Sequence, residues 1–409
     1  MPTKQKAIVV GGSMAGLLTA LLLRLNGWGV EIFERNAAEL SGRGAGIVTH
    51  AELFDVMKRA GVVKEPAALG VPVAGRRVLN RDGSIACELA LEQVVTSWGS
   101  LYSLLRGAMP DDCYHLGFNL ERIDQSGTSV SAHFSGNRTA HADLMIGADG
   151  IFSKVRRLLA PNIKSTYASY VAWRGLVDES ALSPATREAL CDHFAFSLPP
   201  GEQMLGYPVS GPNEEVRRGA RRFNFVWYRP APRGEALDAL LTDVDGITHE
   251  LSIPPDKIRP QVVANMRLSA RALLAPQFAE VIECTTQPFI QAIQDLETPT
   301  MVLAPRIAIL GDAAFVARPH IGMGVTKAAG DAAALADSIA ANPGNLAAAL
   351  ASFDEKRLPF GAAVVRRARD LGTYMQAHFS TDEERQLAER HRSPKAIMAE
   401  TAVAAGIAV

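Results

Sequence analysis

The segment KAIVVGGSMAGLLTALLLRLNGWGVEIFER, Lys6 to Arg35, decides the fold. An apolar run from Ala7 to Val10 meets Gly11-Gly12-Ser13-Met14-Ala15-Gly16. Leucines and alanines then recur at helical spacing to Asn26, and a second apolar run ends at Glu34. The pattern predicts strand, glycine turn, helix and strand. Gly11 permits a tight turn, Gly16 lets the helix lie close on the strand, and the free N–H groups at the helix start can meet a pyrophosphate under a favourable dipole. Glu34, at the tip of the second strand, can accept hydrogen bonds from an adenosine ribose. Ser13 stands where the motif's middle glycine would be, so its side chain must turn away from the phosphates or bond to them. Strand, helix and acid together read as a dinucleotide site opening an α/β protein.

Outward from this segment, Ser41-Gly42-Arg43-Gly44-Ala45-Gly46-Ile47-Val48 sets three glycines at alternating positions, which suits a backbone approaching something flat or large. His50 follows, just before a helical pattern, and is either a helix-start residue or a polar group facing the site. Residues 71 to 98 alternate as strands do, with Arg81-Asp82-Gly83-Ser84 as a turn. Leu101 to Met109 reads as a helix. Ala142 to Arg157 reads as a buried strand ending in Gly147-Ala148-Asp149-Gly150, followed by a helix that Ser153 can cap. An Asp-Gly at a strand's carboxyl end is where open α/β sheets place ligand contacts.

From about residue 166 to 300 the alternation returns with aromatics at Trp173, Tyr207 and Trp227-Tyr228, and predicts an antiparallel sheet in a second domain. Leu237 to Arg271 is polar and helix-prone. Arg306 to Asp337 returns to the strand-turn-helix pattern of the opening segment. A strand ends in Gly311-Asp312, a loop carries Arg318-Pro319-His320 and two spaced glycines, and an alanine-rich helix begins near Gly324. An aspartate at that strand end, leading into a helix N-terminus, suits a ribityl phosphate or an electron-rich ring oxygen. Residues 345 to 376 are helical with Pro359 as an interruption, and the tail after about 380 is expected to be a partly ordered end.

Composition excludes several functions. A formal net charge of −1 over 409 residues, with scattered Lys and Arg, gives no field to attract nucleic acid or an anionic membrane. The four cysteines, Cys87, Cys113, Cys191 and Cys284, are far apart and indicate neither a disulfide framework nor a metal site. No apolar run reaches about 18 residues without a charge, so the expectation is a soluble, cytoplasmic protein.

GGSMAG with Glu34, the Asp149-Gly150 segment and Gly311-Asp312-Ala313-Ala314 occur in the order and spacing of one family. The chain resembles the single-component FAD-dependent aromatic hydroxylases, the para-hydroxybenzoate hydroxylase family. Phe353 to Pro359 is similar to that family's aromatic-x-x-x-Arg-x-Pro helix. VGGSMAGL, SGRGAGIV, YVAWRG, FNFVWY and Arg318-Pro319-His320 look most like members acting on hydroxypyridines. The resemblance implies an α/β fold with a Rossmann-like FAD-binding domain (residues 1–70, 98–165 and 275–375). A mixed or antiparallel-sheet substrate domain (71–97 and 166–274) would interleave with it, and a C-terminal helix or tail (376–409) would follow.

It also implies site residues. Gly11, Gly12, Ser13, Met14, Ala15 and Gly16 would hold the FAD pyrophosphate, with Glu34 and Arg35 at the adenosine end. Gly46 and Ile47 would lie beside the isoalloxazine, and Tyr102, Asp149, Asp312, Gly322 and Gly324 would complete the cofactor set. Tyr102 stands where the family has an arginine, and Phe315 where it has a histidine after Gly-Asp-Ala-Ala. His320 is the first candidate for a polar catalytic role, with Tyr207 and His50 behind it; Arg174, Trp227 and Pro319 are the substrate candidates. The implied reaction is hydroxylation of a hydroxylated ring with NADH or NADPH and O2, through a flavin hydroperoxide, by a possible homodimer. A phenolic substrate and a non-catalytic flavoprotein are the alternatives. A halogenase lacks support because no Trp-x-Trp-x-Ile-Pro stretch occurs.

Overall fold

The computed structural model describes residues 4–40, 46–379, 381–404 and 407; the glycine-rich stretch therefore lies partly outside the described residues. The dinucleotide segment folds as its pattern demands. Lys6–Val10 is a strand, Met14–Leu25 a helix and Gly29–Phe33 the next strand. These strands join a six-stranded sheet ordered Val302–Ala304, Ile307–Ile309, Leu144–Gly147, Lys6–Val10, Gly29–Phe33, Tyr114–His115. All neighbours are parallel except the first pair. Near-continuous burial along its inner strands is what a parallel sheet covered on both faces requires.

The middle of the chain forms a seven-stranded sheet. Its order is Phe289–Asp295, Thr166–Asp178, Arg222–Pro230, Gln203–Val209, His193–Ser197, Gly75–Leu79, Ile85–Leu89. Neighbours are antiparallel except His193–Ser197 with Gly75–Leu79. The turn expected at Arg81 to Ser84 joins the last two strands, and Ser84 N donates to Asp82 Oδ1 at 2.9 Å. Phe289–Asp295, which the sequence reading set within the FAD-binding domain, joins this sheet through its pairing with Thr166–Asp178.

One face of this sheet packs Trp173, Phe223, Phe225 and Trp227 against the helices Pro260–Leu273 and Pro276–Cys284. The other face carries Tyr170, Ala172, Leu205, Tyr207, Val226 and Tyr228, which cluster with Val48, Val71, Val95, Met375 and Met398. Strand alternation makes this division, since successive side chains point to opposite faces.

The Gly324–Ala341 helix packs on Met14–Leu25 and on the long Leu346–Gly372 helix. That long helix continues through Pro359, where the sequence suggested an interruption. Pro359 is exposed, so water can take up the carbonyl that its missing N–H leaves free. The tail expected to be partly ordered forms two further helices, Asp382–His391 and Pro394–Glu400, capped by Thr381 and Ser393.

Arg357 explains the Arg-x-Pro motif. Its Nε donates to Asp331 Oδ1 at 2.8 Å, and Asp331 Oδ2 accepts the N–H of Gly311 at 3.0 Å. Asp331 is only 1% exposed, so its charge has no water to fall back on. Arg357→Met should therefore destabilise the protein by about 3 kcal/mol, because a buried carboxylate loses its hydrogen-bonded cation and keeps only Lys327, at 3.9 Å. Thermal unfolding of the two proteins side by side measures this, and an unchanged melting temperature would refute it.

Candidate active site

The carboxyl ends of the parallel strands and one face of the seven-stranded sheet enclose a cavity of about 750 Å³. Its nucleotide end is built from close backbone approaches. Gly11 has φ 106°, and a Cβ there would sit 2.4 Å from the Ala148 carbonyl oxygen; one on Gly16 would sit 1.9 Å from Gly11 O. Ser13 precedes the Met14–Leu25 helix without capping it through its side chain. The first N–H groups of that helix thus have no side-chain acceptor and stand at the cavity wall, which Gly11, Ser13, Met14 and Ala15 line. The Glu34 carboxylate, also lining the cavity, accepts from Gly12 N at 2.9 Å and from Asn36 N at 2.9 Å, while Arg35 is exposed at the rim.

Tyr102 does not line the cavity. Its hydroxyl bonds to Glu39 and lies 3.2 Å from that of Tyr114, whose own hydroxyl donates to the Gly12 carbonyl at 2.8 Å. The Tyr102 ring stacks at 5.1 Å on Trp98, which does line the cavity. Tyr102 therefore braces the turn from behind. Tyr114, whose hydroxyl lies where a Gly12 Cβ would fall 2.3 Å away, carries no mark in the sequence.

Asp149 Oδ2 accepts from Lys154 N at 2.6 Å and Val155 N at 3.2 Å, but its buried Oδ1 has no partner. Burial raises this carboxyl above the ordinary range, against the pull of those hydrogen bonds. Asp312 opens onto the cavity, 4.0 Å from Lys327 Nζ; Lys327 is wholly buried, 3.9 Å from Asp331, and its Nζ makes no hydrogen bond. Burial raises the Asp312 carboxyl, and the Lys327 charge opposes that rise. An uncapped helix start, a glycine cradle that any Cβ would fill, and an orphaned carboxylate oxygen fit a bound dinucleotide.

The other end of the cavity is a chamber on the seven-stranded sheet. Phe289, Arg174, Val226 and Leu205 stand side by side across four strands and all line it. Tyr207, Tyr228, Phe194, Gln291 and Ile293 complete the wall. Arg174 has no carboxylate partner among the described residues, and its buried Nε has no acceptor. Burial pushes the Tyr228 hydroxyl up to about 12 and raises that of Tyr207, so both are neutral at ordinary pH.

Trp227, expected among the substrate contacts, is turned to the opposite face. It sits directly across from Trp173, and its Nε1 donates to Glu202 at 2.8 Å. Arg174 and Trp173 cannot share a face of one strand, and placing Arg174 inward already puts Trp227 outward. The same alternation turns Tyr228 inward, to the place where the sequence suggested Trp227.

Pro319, Gly322 and Gly324 line the cavity, but His320 is 1% exposed and is not on its wall. His320 Nε2 lies 2.7 Å from the Tyr170 hydroxyl, and the imidazole packs edge-on against the Tyr228 ring at 4.3 Å. Burial, with Arg318 and Arg174 nearby, holds it well below the usual histidine value, so it is neutral. His50 also stands off the wall: it precedes the Ala51–Arg59 helix, and its Nδ1 lies 3.0 Å from Thr326 Oγ1. Gly46 and Ile47 line the cavity, where Gly46 N donates to Asn224 Oδ1 at 2.8 Å.

A Rossmann-type cradle joined to an aromatic chamber fits a FAD-dependent monooxygenase, and comparison with known proteins shows that class. The FAD binding domain-like family matches residues 167–295. The 2,6-dihydroxypyridine 3-monooxygenase of Paenarthrobacter nicotinovorans is 32% identical over 92% of this chain and 92% of its own. The solved structure of 2,6-dihydroxypyridine-3-hydroxylase from Arthrobacter nicotinovorans superposes with a TM-score of 0.85 at 29% identity, covering 94% of this chain and 96% of that one. The FAD-dependent urate hydroxylase of Klebsiella pneumoniae is 28% identical, covering 89% of this chain and 88% of its own. The chain belongs to the FAD-dependent aromatic hydroxylases, enzymes that take electrons from NAD(P)H.

Two outcomes follow from the charges described. Lys327→Met should weaken FAD binding about tenfold, roughly 1.4 kcal/mol, because Asp312 loses the cation that favours its charged form; titration of apoprotein with FAD measures it. The second concerns pH. His320 and His50 have folded-state values lowered by burial. The unfolded chain then binds more protons than the folded one below about pH 6.5, so their stabilising share is present above that pH and is lost as pH falls. The melting temperature should be lower at about pH 5.5 than at about pH 7.5, and His320→Gln should narrow the gap.

Proposed function

We propose that this enzyme hydroxylates a small hydroxylated aromatic ring bound as its anion, best a hydroxypyridine. Arg174 carries the reading: it is a guanidinium with no carboxylate partner among the described residues, set among aromatic, aliphatic and amide groups, whereas Arg318, also on the cavity wall, is paired with Asp295 at 2.9 Å. A ring oxyanion would supply the missing charge. The same charge favours the ionised hydroxyl over the neutral one, which makes the ring electron-rich at the carbons ortho and para to it. The name 2,6-dihydroxypyridine 3-monooxygenase, carried by the relative at 32% identity and by its solved structure, supports the pyridine class over a phenol.

The overall reaction balances as ring C–H, NAD(P)H, a proton and O2 giving ring C–OH, NAD(P)+ and water. Bound FAD supplies the redox chemistry, accepting hydride from NAD(P)H and activating O2. In this reading Gly11 to Gly16 hold its pyrophosphate, Glu34 its adenosine ribose and Asp312 its ribityl chain, with Gly46, Ile47 and Pro319 to Gly324 along the ring. Glu34 would then exchange its bond to Gly12 N for the ribose.

Arg174 orients the ring. Tyr207 and Tyr228, both neutral, offer hydroxyl donors to its oxygens. His320 serves behind them, holding Tyr170 and the Tyr228 ring in place. The packed apolar wall of Phe194, Leu205, Val226 and Phe289 keeps water from the reacting centre. The interleaved domain division, a cytoplasmic location and a homodimer belong to the same proposal. Among the described residues, no helix is long and apolar enough to cross a membrane.

NADH and NADPH oxidation under air, with a panel of hydroxypyridines and phenols, tests this. One hydroxypyridine should stimulate oxidation and return hydroxylated. Arg174→Met should raise KM for that compound about a hundredfold, near 2.7 kcal/mol, while FAD stays bound. Equal activity of the variant would remove Arg174 from the site.

A further inference from the structure

The last described residues run back across the active site. The Pro394–Glu400 helix delivers Thr401 and Ala402 to the cavity wall. Ala402 N donates to the His320 carbonyl at 2.6 Å, within the Pro319–Ile321 turn. A Cβ on Gly322 would fall 2.8 Å from that of Ala402, and Gly322 has φ 65°. Ala404 and Ile407 pack on the apolar cluster of Ile321, Met323, Val364, Ala368 and Leu371. This strap thus lies against the turn that borders the flavin end of the chamber.

Its anchor is Arg76, in the Gly75–Leu79 strand. Arg76 is 1% exposed and has no carboxylate partner among the described residues. Nη1 donates to the Met398 carbonyl at 2.7 Å and to the Thr401 carbonyl, and Nη2 donates to Gln93 Oε1 at 2.9 Å. Gln93 Nε2 in turn donates to the Ala402 carbonyl at 2.9 Å. The guanidinium lies 5.0 Å over the Phe194 ring, and Phe194 packs at 4.8 Å on Tyr207 in the chamber wall.

Burying a guanidinium among neutral acceptors is costly, and burial lowers Arg76 to about 10. A hydrophobic residue would fill the space more cheaply but would leave the end carbonyls of the Pro394–Glu400 helix without donors. The cation is well suited to one task, gathering carbonyls of a segment that pairs with no strand among the described residues.

We propose that Arg76 is a positioning residue for oxygen transfer, holding the C-terminal strap so that the Pro319–Gly322 turn keeps its place and the chamber stays closed to water. The oxygen-transfer part rests on the function proposed above; the closure part does not. When the strap is loose, NAD(P)H, a proton and O2 give NAD(P)+ and H2O2, and the ring leaves unchanged.

Arg76→Met, Arg76→Lys and Gln93→Leu test it as FAD-loaded proteins. The first readout needs no substrate: quenching of flavin fluorescence by iodide should rise about threefold in Arg76→Met, with faster tryptic cleavage after Arg392 or Lys395. The second is peroxide released per NAD(P)H oxidised with an active ring compound, which should rise severalfold while FAD affinity holds. Arg76→Lys, still able to donate to carbonyls, should recover part of both. Should Arg76→Met fail to fold, Gln93→Leu, which frees the Ala402 carbonyl, gives the same two readings. A folded variant with unchanged quenching, cleavage and peroxide yield overturns the proposal. If no ring compound stimulates the unaltered protein, the proposed reaction fails alone, and quenching and cleavage still decide the strap.

Discussion

A single buried carboxylate ties the nucleotide end of the site to the helices behind it. Asp331 accepts the N–H of Gly311, where the Ile307–Ile309 strand ends, and the guanidinium of Arg357 from the long helix. Lys327 stands 3.9 Å from the same carboxylate and 4.0 Å from Asp312, which faces the cavity. Lys327 and Asp331 are buried away from water, so each of those charges is tolerable only because an opposite one stands beside it, while Asp312 opens onto the cavity. The position of Asp312, and of the turn that carries it, depends on that balance.

Much of this was legible in the sequence, and the rest was hidden for identifiable reasons. The cradle could be read because glycines at Gly11 and Gly16 answer to backbone contacts nothing larger survives, and local chain constraints write themselves locally. The two-sheet architecture could be read from period. Facing was harder: Trp227 and Tyr228 are neighbours in an unbroken apolar run, and only the pairing of Trp173 with Trp227 shows which of them turns to the chamber. The loop of His320 does reach the cavity, through Pro319 and Gly322, yet its own side chain points into the core toward Tyr170. Arg76 sits in an ordinary strand sequence, and its partners lie more than three hundred residues along, at Met398 and Thr401. No spacing rule reaches that far.

The chamber's electrostatics are those of a trap for a soft anion. Arg174 brings charge without a counter-ion, while the surrounding hydroxyls are kept neutral by burial. No carboxylate or ionised imidazole among the described residues of that wall competes for it. In the function proposed above, selectivity for an ionised ring would come from what is left unpaired, in contrast with the paired Asp331 cluster behind the nucleotide end.

The parallel sheet sets Ile146 beside Ala308, and between those two residues lies most of the seven-stranded sheet. The second and third parts of the nucleotide site therefore meet only through a pairing of segments far apart in the chain. Long-range pairing of this kind makes folding slow and leaves strand edges open while it proceeds. A ligand that requires the finished cradle cannot hurry that assembly; it can only delay its undoing. The cofactor's effect on lifetime should thus lie in the unfolding rate, and the newly made chain must find its shape without it.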